Sequence, residues 1–244
     1  MQHLGHTRSA LGRDHLLQTP DTFVRTPLPG MHGATVIVHI APAAGARFTQ
    51  YTVEFAADGV LAPCRVQRFL YVLDGQIAVG DRNLAAGEFA YLPPGDAPEI
   101  RATSSGRAVV IEKPYHRVAN VAPPARFTGS ERDAAVQFLA DDPALEVRAL
   151  LPDAPPFDFA VNTMVYQPGA SLPMVEIHVM EHGLLMLEGA GIYRLGECWY
   201  PVAAGDFIWM APYCPQWFGA LGKTPAKYLI YKDWNRHPGA TSPD

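Results

Sequence analysis

The sequence has few charged residues and no long uninterrupted apolar run. Charged side chains make up 18% of its 244 residues, with 19 basic residues against 24 acidic ones and a net charge of −5. No Lys/Arg-rich cluster occurs, which argues against nucleic acid as a partner. The apolar runs are too short to span a bilayer, so no membrane partner is expected either.

The sequence is also poor in cysteine. Cys64, Cys198 and Cys214 are the three cysteines, and they lack CxxC spacing. They indicate free thiols in a reducing compartment. Arg8 and Arg13 interrupt the N-terminal segment, and no apolar stretch typical of a signal peptide follows. A cytoplasmic protein is therefore expected.

Proline, glycine and short apolar runs are plentiful. The 23 prolines and 21 glycines separate runs of β-branched and aromatic residues such as ATVIVHIAP, FTQYTVEF and KYLIYKDW. Short strands between turn residues predict an all-β sandwich or barrel. The stretch SERDAAVQFLADD, residues 130–142, is either a short helix capped by Ser130 or an irregular connector.

The two halves of the chain repeat each other. RFLYVLDGQIAVG (68–80) matches HGLLMLEGAGIYRLG (182–196) with Gly75 aligned on Gly189, and LAAGEFAYLPPG matches VAAGDFIWMAPY further on. The same alignment places Lys113 on Lys232. We therefore predict a duplicated β domain, divided into an N-terminal arm (1–33), a first barrel (34–126), a connector (127–150) and a second barrel (151–244).

The stretch EIHVMEHGLLMLEG in the second half carries a candidate metal site. Glu176 and His178 share one face of an extended strand, and His182 returns to the same point after a short turn. Imidazole and carboxylate suit a divalent first-row metal, although hydrogen-bonded core residues would give the same pattern. The first half has Ala62, Cys64 and Arg68 at the equivalent positions, which favours a functional role for the second half alone.

This pattern resembles the cupins, small β-barrels with two metal-binding motifs. Glu176-x-His178-x(3)-His182-x(6)-Gly189 keeps the frame of the first motif with the ligand types exchanged. Gln216 stands where the second motif usually has histidine, and the first half has Pro98 there. The resemblance implies an all-β bicupin with two tandem barrels of the double-stranded β-helix or jelly-roll type.

A closer resemblance, over nearly the whole chain, is to the (S)-ureidoglycine aminohydrolase family. The motifs that carry it are the ligand set above, HGLLMLEGAGIYRL, WYPVAAGDFIWMAPYCPQWFGALG, YLIYKDWNR and the N-terminal TPDTFVRTPLPG. The resemblance implies ammonia release from ureidoglycine to give ureidoglycolate in purine (allantoin) degradation. It also implies one Mn²⁺ per chain in the second barrel, held by Glu176, His178, His182 and Gln216.

The resemblance further assigns residues around the substrate. Tyr193, Tyr228 and Lys232 match substrate-site residues, with Gln216 beside them, and we take Glu176, Lys232 and Tyr228 as the catalytic set. The residues alone favour an exposed strand-end lysine for Lys232 and core packing for the two tyrosines, so their role at the substrate rests on the resemblance. The expected partner is a small ureido substrate, and a homo-oligomer is expected.

Two other functions remain open from the sequence. Two histidines and a carboxylate with open positions also describe a metal-dependent bicupin dioxygenase. A cupin that binds a ligand without catalysis, as a sensor, is the second.

Overall fold

The structure is a computed structural model that describes residues 6–236. Within that range the regular elements are β-strands and 3-10 helices of three residues each, at Pro20–Thr22, Pro42–Ala44, Glu131–Asp133 and Leu139–Asp141, joined by loops. The all-β prediction is confirmed. Among these residues, no helix has the length and apolar character needed to cross a membrane.

Between residues 6 and 236 twenty-one strands follow one another, and most of them are short. In chain order they are β1 (Ala10–Leu11), β2 (His15–Gln18), β3 (Arg25–Thr26), β4 (His32–Ile40), β5 (Thr49–Leu61), β6 (Gln67–Asp74), β7 (Gln76–Val79), β8 (Arg82–Ala85), β9 (Glu88–Leu92), β10 (Ile100–Ala102), β11 (Gly106–Lys113), β12 (Phe127–Ser130), β13 (Val136–Phe138), β14 (Leu145–Ala149), β15 (Phe159–Tyr166), β16 (His182–Glu188), β17 (Ala190–Leu195), β18 (Cys198–Ala203), β19 (Phe207–Met210), β20 (Gln216–Leu221) and β21 (Ala226–Asp233).

These strands form two compact units. Residues 24–133 make the first, which we call the N-terminal barrel. Residues 6–23 together with 134–236 make the second, which we call the C-terminal barrel. The two-barrel architecture predicted from the internal repeat is confirmed.

The N-terminal barrel is one ten-stranded sheet. Its hydrogen-bonded path runs β12-β9-β6-β11-β5-β10-β7-β8, with β4 on β5 and β3 on β4. Alternate residues of these strands point inward, as the period of a strand requires. They form a mainly aliphatic core that includes Val36, Val53, Leu70, Ile100 and Val110.

The C-terminal barrel has two sheets that enclose a second core. One has eight strands in the order β1-β2-β19-β16-β21-β15-β14-β13, and the other is β18-β17-β20. The core between them includes the fully buried Leu184, Ile208 and Phe218. Each such side chain contributes about 1.5–3 kcal/mol by leaving water. The inner face of the C-terminal barrel also carries polar residues among these apolar ones.

The predicted arm over residues 1–33 differs from the structure. Strand β2 pairs antiparallel with β19, from His15 opposite Met210 to Gln18 opposite Phe207, so it extends the sheet of the C-terminal barrel. Residues 24–33 lie in the N-terminal barrel. The physical reason is that β19 would otherwise leave an unpaired row of backbone donors and acceptors at a sheet edge.

The stretch 127–150, predicted as a connector, contains the division between the two units. Strand β12 pairs with β9 of the N-terminal barrel, whereas β13 and β14 belong to the large sheet of the C-terminal barrel. The division falls between Asp133 and Ala134. Residues 130–142 form short strands and 3-10 turns, which is the irregular alternative and not the helix.

The glycines that anchor the repeat occupy equivalent bends. Gly75 and Gly189 both have positive φ, 77° and 70°. A Cβ at Gly75 would lie 2.5 Å from the carbonyl oxygen of Ser105, and one at Gly189 would lie 2.4 Å from that of Pro225. No side chain fits at either position, so this turn explains why the two halves share glycine there.

The strand register corrects one detail of the repeat. In the C-terminal barrel, His182 on β16 lies opposite Lys232 on β21. In the N-terminal barrel, Arg68 on β6 lies opposite Glu112 on β11. The equivalent of Lys232 is therefore Glu112 and not Lys113, because a shift by one residue turns a side chain to the other face of the sheet.

Candidate metal centre and substrate cavity

Glu176 and Gln216 are joined through their backbones. The Glu176 N–H donates to the Gln216 carbonyl at 2.8 Å, and the Gln216 N–H donates back to the Glu176 carbonyl at 2.9 Å. This two-bond bridge fixes the loop before β16 against the start of β20. It places a carboxylate and a carboxamide, far apart in sequence, at the same end of the barrel.

His178 and His182 lie beside this bridge. The Nε2 of His178 is 3.1 Å from the Oε2 of Glu176, and the two imidazole centroids are 5.2 Å apart. The Tyr213 N–H donates to the His178 carbonyl at 2.6 Å, which ties the loop of His178 to the loop that leads into Gln216.

The tautomer of His182 is fixed by its own backbone neighbour. Its Nδ1 is 2.9 Å from the carbonyl oxygen of Glu181, and because a carbonyl only accepts, Nδ1 carries the hydrogen. Burial lowers the pKa of His182 to about 3, and His178 and Lys232 add to this effect. The ring is therefore neutral at physiological pH, and the lone pair of Nε2 is available to bind a metal ion.

Two tyrosines form one wall of the cavity. The Tyr193 hydroxyl donates to the Oε1 of Gln216 at 3.3 Å, and the Tyr228 hydroxyl lies 2.8 Å from that of Tyr166. Burial raises the pKa of Tyr193 and of Tyr228 well above the ordinary value, so both stay protonated. Phe218 packs against all three rings.

Lys232 lies on the same face of β21 as Tyr228 and also lines the cavity. Its Nζ is 4.4 Å from the centroid of the Trp234 ring, within the range of a cation–π contact. Burial lowers the pKa of Lys232, and the negative charges of Asp153 and Glu176 partly offset this. The ammonium is thus held in a partly dehydrated place where an anion would stabilise it.

These side chains line a single cavity of about 120 Å³. All seven residues predicted from the sequence belong to its lining: Glu176, His178, His182, Tyr193, Gln216, Tyr228 and Lys232. The remaining lining residues were not predicted and are Leu139, Asn162, Met164, Leu172, Met180 and Ile230. The one sequence signal among them is Asn162, a polar residue within the apolar strand FAVNTMVY.

A second, larger cavity adjoins the first. It measures about 330 Å³, and Leu139, Asn162 and Lys232 line both cavities. Phe138, Leu151 and Trp234 contribute to its apolar walls. We call the two spaces the inner and the outer cavity.

A different group of possible metal ligands lies elsewhere in the C-terminal barrel. The ligand atoms of Asp14, His15 and Cys214 all lie within 4.8 Å of one another, more tightly grouped than those of Glu176, His178 and His182. The Nδ1 of His15 is 2.8 Å from Asp14 and its Nε2 is 2.9 Å from the Tyr200 hydroxyl. Burial, followed by the negative charge of Asp14, raises the pKa of Cys214 to about 12.

Hydrogen bonds explain why Asp14, His15 and Cys214 lie so close together, and no ion is needed to explain it. Both nitrogens of His15 have partners, and the Ala211 N–H donates to the Asp14 carbonyl at 2.8 Å. The group thereby fastens the N-terminal segment to the loop that precedes Gln216. The protonated thiol of Cys214 is not a nucleophile.

The N-terminal barrel fills the equivalent space with an ion pair. The Nε and Nη2 of Arg68 donate to the Oε1 of Glu112 at 2.8 and 2.6 Å, and the Tyr51 hydroxyl donates to the same oxygen at 2.9 Å. Arg68 also donates to the carbonyl of Ala62 at 2.9 Å. A guanidinium therefore stands where the C-terminal barrel has His182.

Comparison with known proteins first identifies the fold class of the protein. The cupin domain family model matches residues 162–231, which run from within β15 to within β21 and include the residues of the inner cavity other than Leu139 and Lys232. A structure described as the putative glyoxylate induced protein from Pseudomonas aeruginosa superposes with a TM-score of 0.88. It is 30% identical and covers 98% of this chain and 94% of its own. The fold is that of a bicupin.

Sequence relatives then define the family. The (S)-ureidoglycine aminohydrolase of Arabidopsis thaliana is 39% identical over 96% of this chain and 80% of its own length. The Escherichia coli protein of the same name is 29% identical over 90% of this chain and 88% of its own. The chain belongs to the (S)-ureidoglycine aminohydrolase family.

Proposed function

We propose that the protein hydrolyses (S)-ureidoglycine to (S)-ureidoglycolate and ammonia in purine catabolism, with a divalent metal in the C-terminal barrel. The observation that carries this proposal is the meeting of all seven predicted residues in one cavity. Its volume of about 120 Å³ suits a small polar molecule, since a cavity of roughly 150 Å³ holds benzene. Relatives that carry the enzyme's name support the choice of substrate.

The donor set fits a metal ion. Glu176, His178, His182 and Gln216 would hold it, through one carboxylate oxygen, two imidazole nitrogens and one amide oxygen. His182 already presents an unprotonated Nε2, because its Nδ1 is bonded to Glu181. Two oxygen ligands favour Mn²⁺ over Zn²⁺, which prefers four-coordinate nitrogen and sulfur sites. When bound, the ion would supply Lewis acidity toward substrate or water.

Lys232 and Tyr228 would bind the carboxylate of the substrate. The ammonium is partly buried above Trp234, and a substrate carboxylate gives it the strong charge-assisted partner that such a site favours. Either hydroxyl can donate in the Tyr166–Tyr228 pair, and when Tyr166 donates to the Tyr228 oxygen, the Tyr228 hydrogen is available for the same carboxylate. Two anchors of this kind orient the reacting carbon toward Glu176.

The reaction replaces a C–N bond by a C–O bond at the carbon that carries the carboxylate. The amine leaves as ammonia and gains one proton, while the attacking water loses one. Glu176 is the residue we propose to carry that proton, because its carboxylate lines the cavity and can accept and return it. Tyr193 holds the Gln216 amide in place through the hydroxyl bond of 3.3 Å.

The test is ammonia release from freshly prepared ureidoglycine, measured with metal-free protein and after addition of Mn²⁺. We expect release that depends on the added ion and on Lys232. Oxygen uptake with Fe²⁺-loaded protein, in place of ammonia release, would favour a dioxygenase. Ligand binding without turnover would favour a non-catalytic cupin, and either result would refute the proposal.

A further inference from the structure

Asn162 is a buried amide between the two cavities. It lies in the middle of β15, opposite Ile230 on β21 and Ala149 on β14. Its relative exposure is 8%, and it lines both the inner and the outer cavity. Because it is in register with Ile230, it shares the inner face with the cavity residues of β21.

The Asn162 side chain has a hydrogen-bonding capacity that the described part of the chain does not use. Among residues 6–236 no side-chain hydrogen bond from Asn162 to another residue is found. The side-chain amide lines the two cavities, so its donor and acceptor are available to water or to a ligand there. A buried amide that faces a cavity is therefore suited to a ligand.

Other polar groups that line the inner cavity already have hydrogen-bond partners or a role under the proposed function. Gln216 accepts the bond from Tyr193 and, under the proposed function, also serves the ion. Tyr228 is bonded to Tyr166. Lys232 only donates, so it can bind a carboxylate but cannot accept from an N–H group. Asn162 offers both an acceptor oxygen and a donor NH₂ at the boundary where Lys232 also lies.

We propose that Asn162 binds the ureido group of the substrate and makes the site specific for carbamoyl compounds over acyl compounds. This inference rests on the proposed function. A ureido group presents a carbonyl oxygen and N–H donors in one plane, which is the complement of a carboxamide. The Asn162 NH₂ donates to the ureido oxygen, and its carbonyl oxygen accepts from a ureido N–H. Lys232 holds the carboxylate at the other end.

Two unreactive analogues distinguish binding of the ureido group from binding of the carboxylate. N-Carbamoylglycine and N-acetylglycine share the carboxylate and differ in a terminal NH₂ against CH₃. Their dissociation constants are measured by calorimetry with Mn²⁺-loaded protein. We expect the wild type to prefer N-carbamoylglycine on the order of tenfold or more, because a site built to bond an N–H rejects the analogue that lacks it.

Variants assign that preference to a residue. Asn162→Leu is close in volume and makes no hydrogen bonds, and it should bring the ratio of the two constants near one. Asn162→Ala is a second variant with the same expectation. Lys232→Met should weaken both analogues alike and keep the ratio. Met164→Leu, on the same strand and in the same cavity, should also keep it.

The outcomes for this inference and for the proposed function are distinct. If the wild type releases ammonia from ureidoglycine and both Asn162 variants keep the preference, the assignment of Asn162 is wrong. If the wild type shows no preference between the analogues, it is also wrong. Loss of the preference in both variants, with Lys232→Met retaining it, supports the assignment. Absence of ammonia release by the wild type refutes the proposed function, whatever the analogues show.

Discussion

Lys232 and His182 lie directly opposite each other across the ladder between β16 and β21. The same two positions in the N-terminal barrel hold Glu112 and Arg68, which bond each other at 2.6 Å. One barrel therefore pairs its two charges internally. The other presents a neutral imidazole and an ammonium to an open cavity, where outside ligands can supply the missing charges.

The first prediction concerns substrate anchoring. Lys232→Met keeps the bulk of the side chain and removes its charge. We expect kcat/KM to fall, and the ratio of the wild-type to the variant value to correspond to a loss of about 2–5 kcal/mol of transition-state stabilisation. The reason is that the ammonium and the substrate carboxylate meet in a partly dehydrated cavity. Bound metal, measured by elemental analysis, should stay unchanged. Near-normal kcat/KM would mean that the carboxylate is held elsewhere.

The second prediction concerns the metal ligands. His178→Ala should remove most of the bound metal and the activity, since it removes one of four proposed ligands. Elemental analysis of the wild type should give one ion per chain. His32→Ala is the matched control, because His32 is exposed on β4 of the N-terminal barrel. Full metal occupancy in His178→Ala would overturn the ligand assignment.

The third prediction concerns the support of Gln216. Tyr193→Phe removes the hydroxyl that donates to the Gln216 amide oxygen and keeps the ring packed on Phe218. We expect metal affinity to fall by roughly 10–100-fold, as for other residues that orient a ligand. The metal dissociation constant is the measurement. An unchanged constant would show that Gln216 is held by its backbone bridge to Glu176 alone.

The fourth prediction concerns the ion pair of the N-terminal barrel. Arg68→Met leaves the Glu112 carboxylate with the Tyr51 hydroxyl but without a counter-charge. We expect the free energy of unfolding to fall by at most about 3–5 kcal/mol, because one charge of a partly buried pair is left uncompensated. Chemical denaturation measures it. The exposed pair of Arg101 and Glu99 is the control, and Arg101→Met should change stability by less than about 1 kcal/mol.

The fifth prediction concerns pH. Burial lowers the pKa of His39 from 6.5 to about 3, so the unfolded chain binds a proton at a higher pH than the folded chain does. Stability is therefore fully present above 6.5 and falls as the pH drops toward 3, by up to about 1.4 kcal/mol per pH unit. His39→Gln should reduce this slope in denaturation curves, whereas His32→Gln should not. Equal slopes in the two variants would contradict the prediction.

Much of the fold could be predicted from the pattern of residues. Short apolar runs between prolines and glycines predicted strands, and the shared Gly75 and Gly189 predicted the duplication. The structure gives these two glycines a physical cause, because the carbonyl of Ser105 or Pro225 leaves no room for a side chain. Such local requirements appear directly in the sequence.

The cavity could be predicted in part. The residue types of Glu176, His178 and His182 within one short stretch identified them as candidates. The expected strand is absent, because Glu176 and His178 lie in the loop before β16, and the backbone bridge from Glu176 to Gln216 positions this loop at the cavity. Asn162 could not be assigned in the same way, because a single polar residue in a strand carries no sign of what lies across from it. Its place between two cavities depends on β14 and β21, which are distant in sequence.

The sequence by itself determined the strands, the repeated turns and the types of ligand, because these depend on local period and residue chemistry. The tertiary structure alone decided that β2 completes the edge of β19, that Glu112 and not Lys113 matches Lys232, and that Asn162 lies beside Lys232 at the cavity boundary. The reason is that these facts depend on the register between strands far apart in the chain. A slip of one residue in that register turns every side chain of a strand to the opposite face.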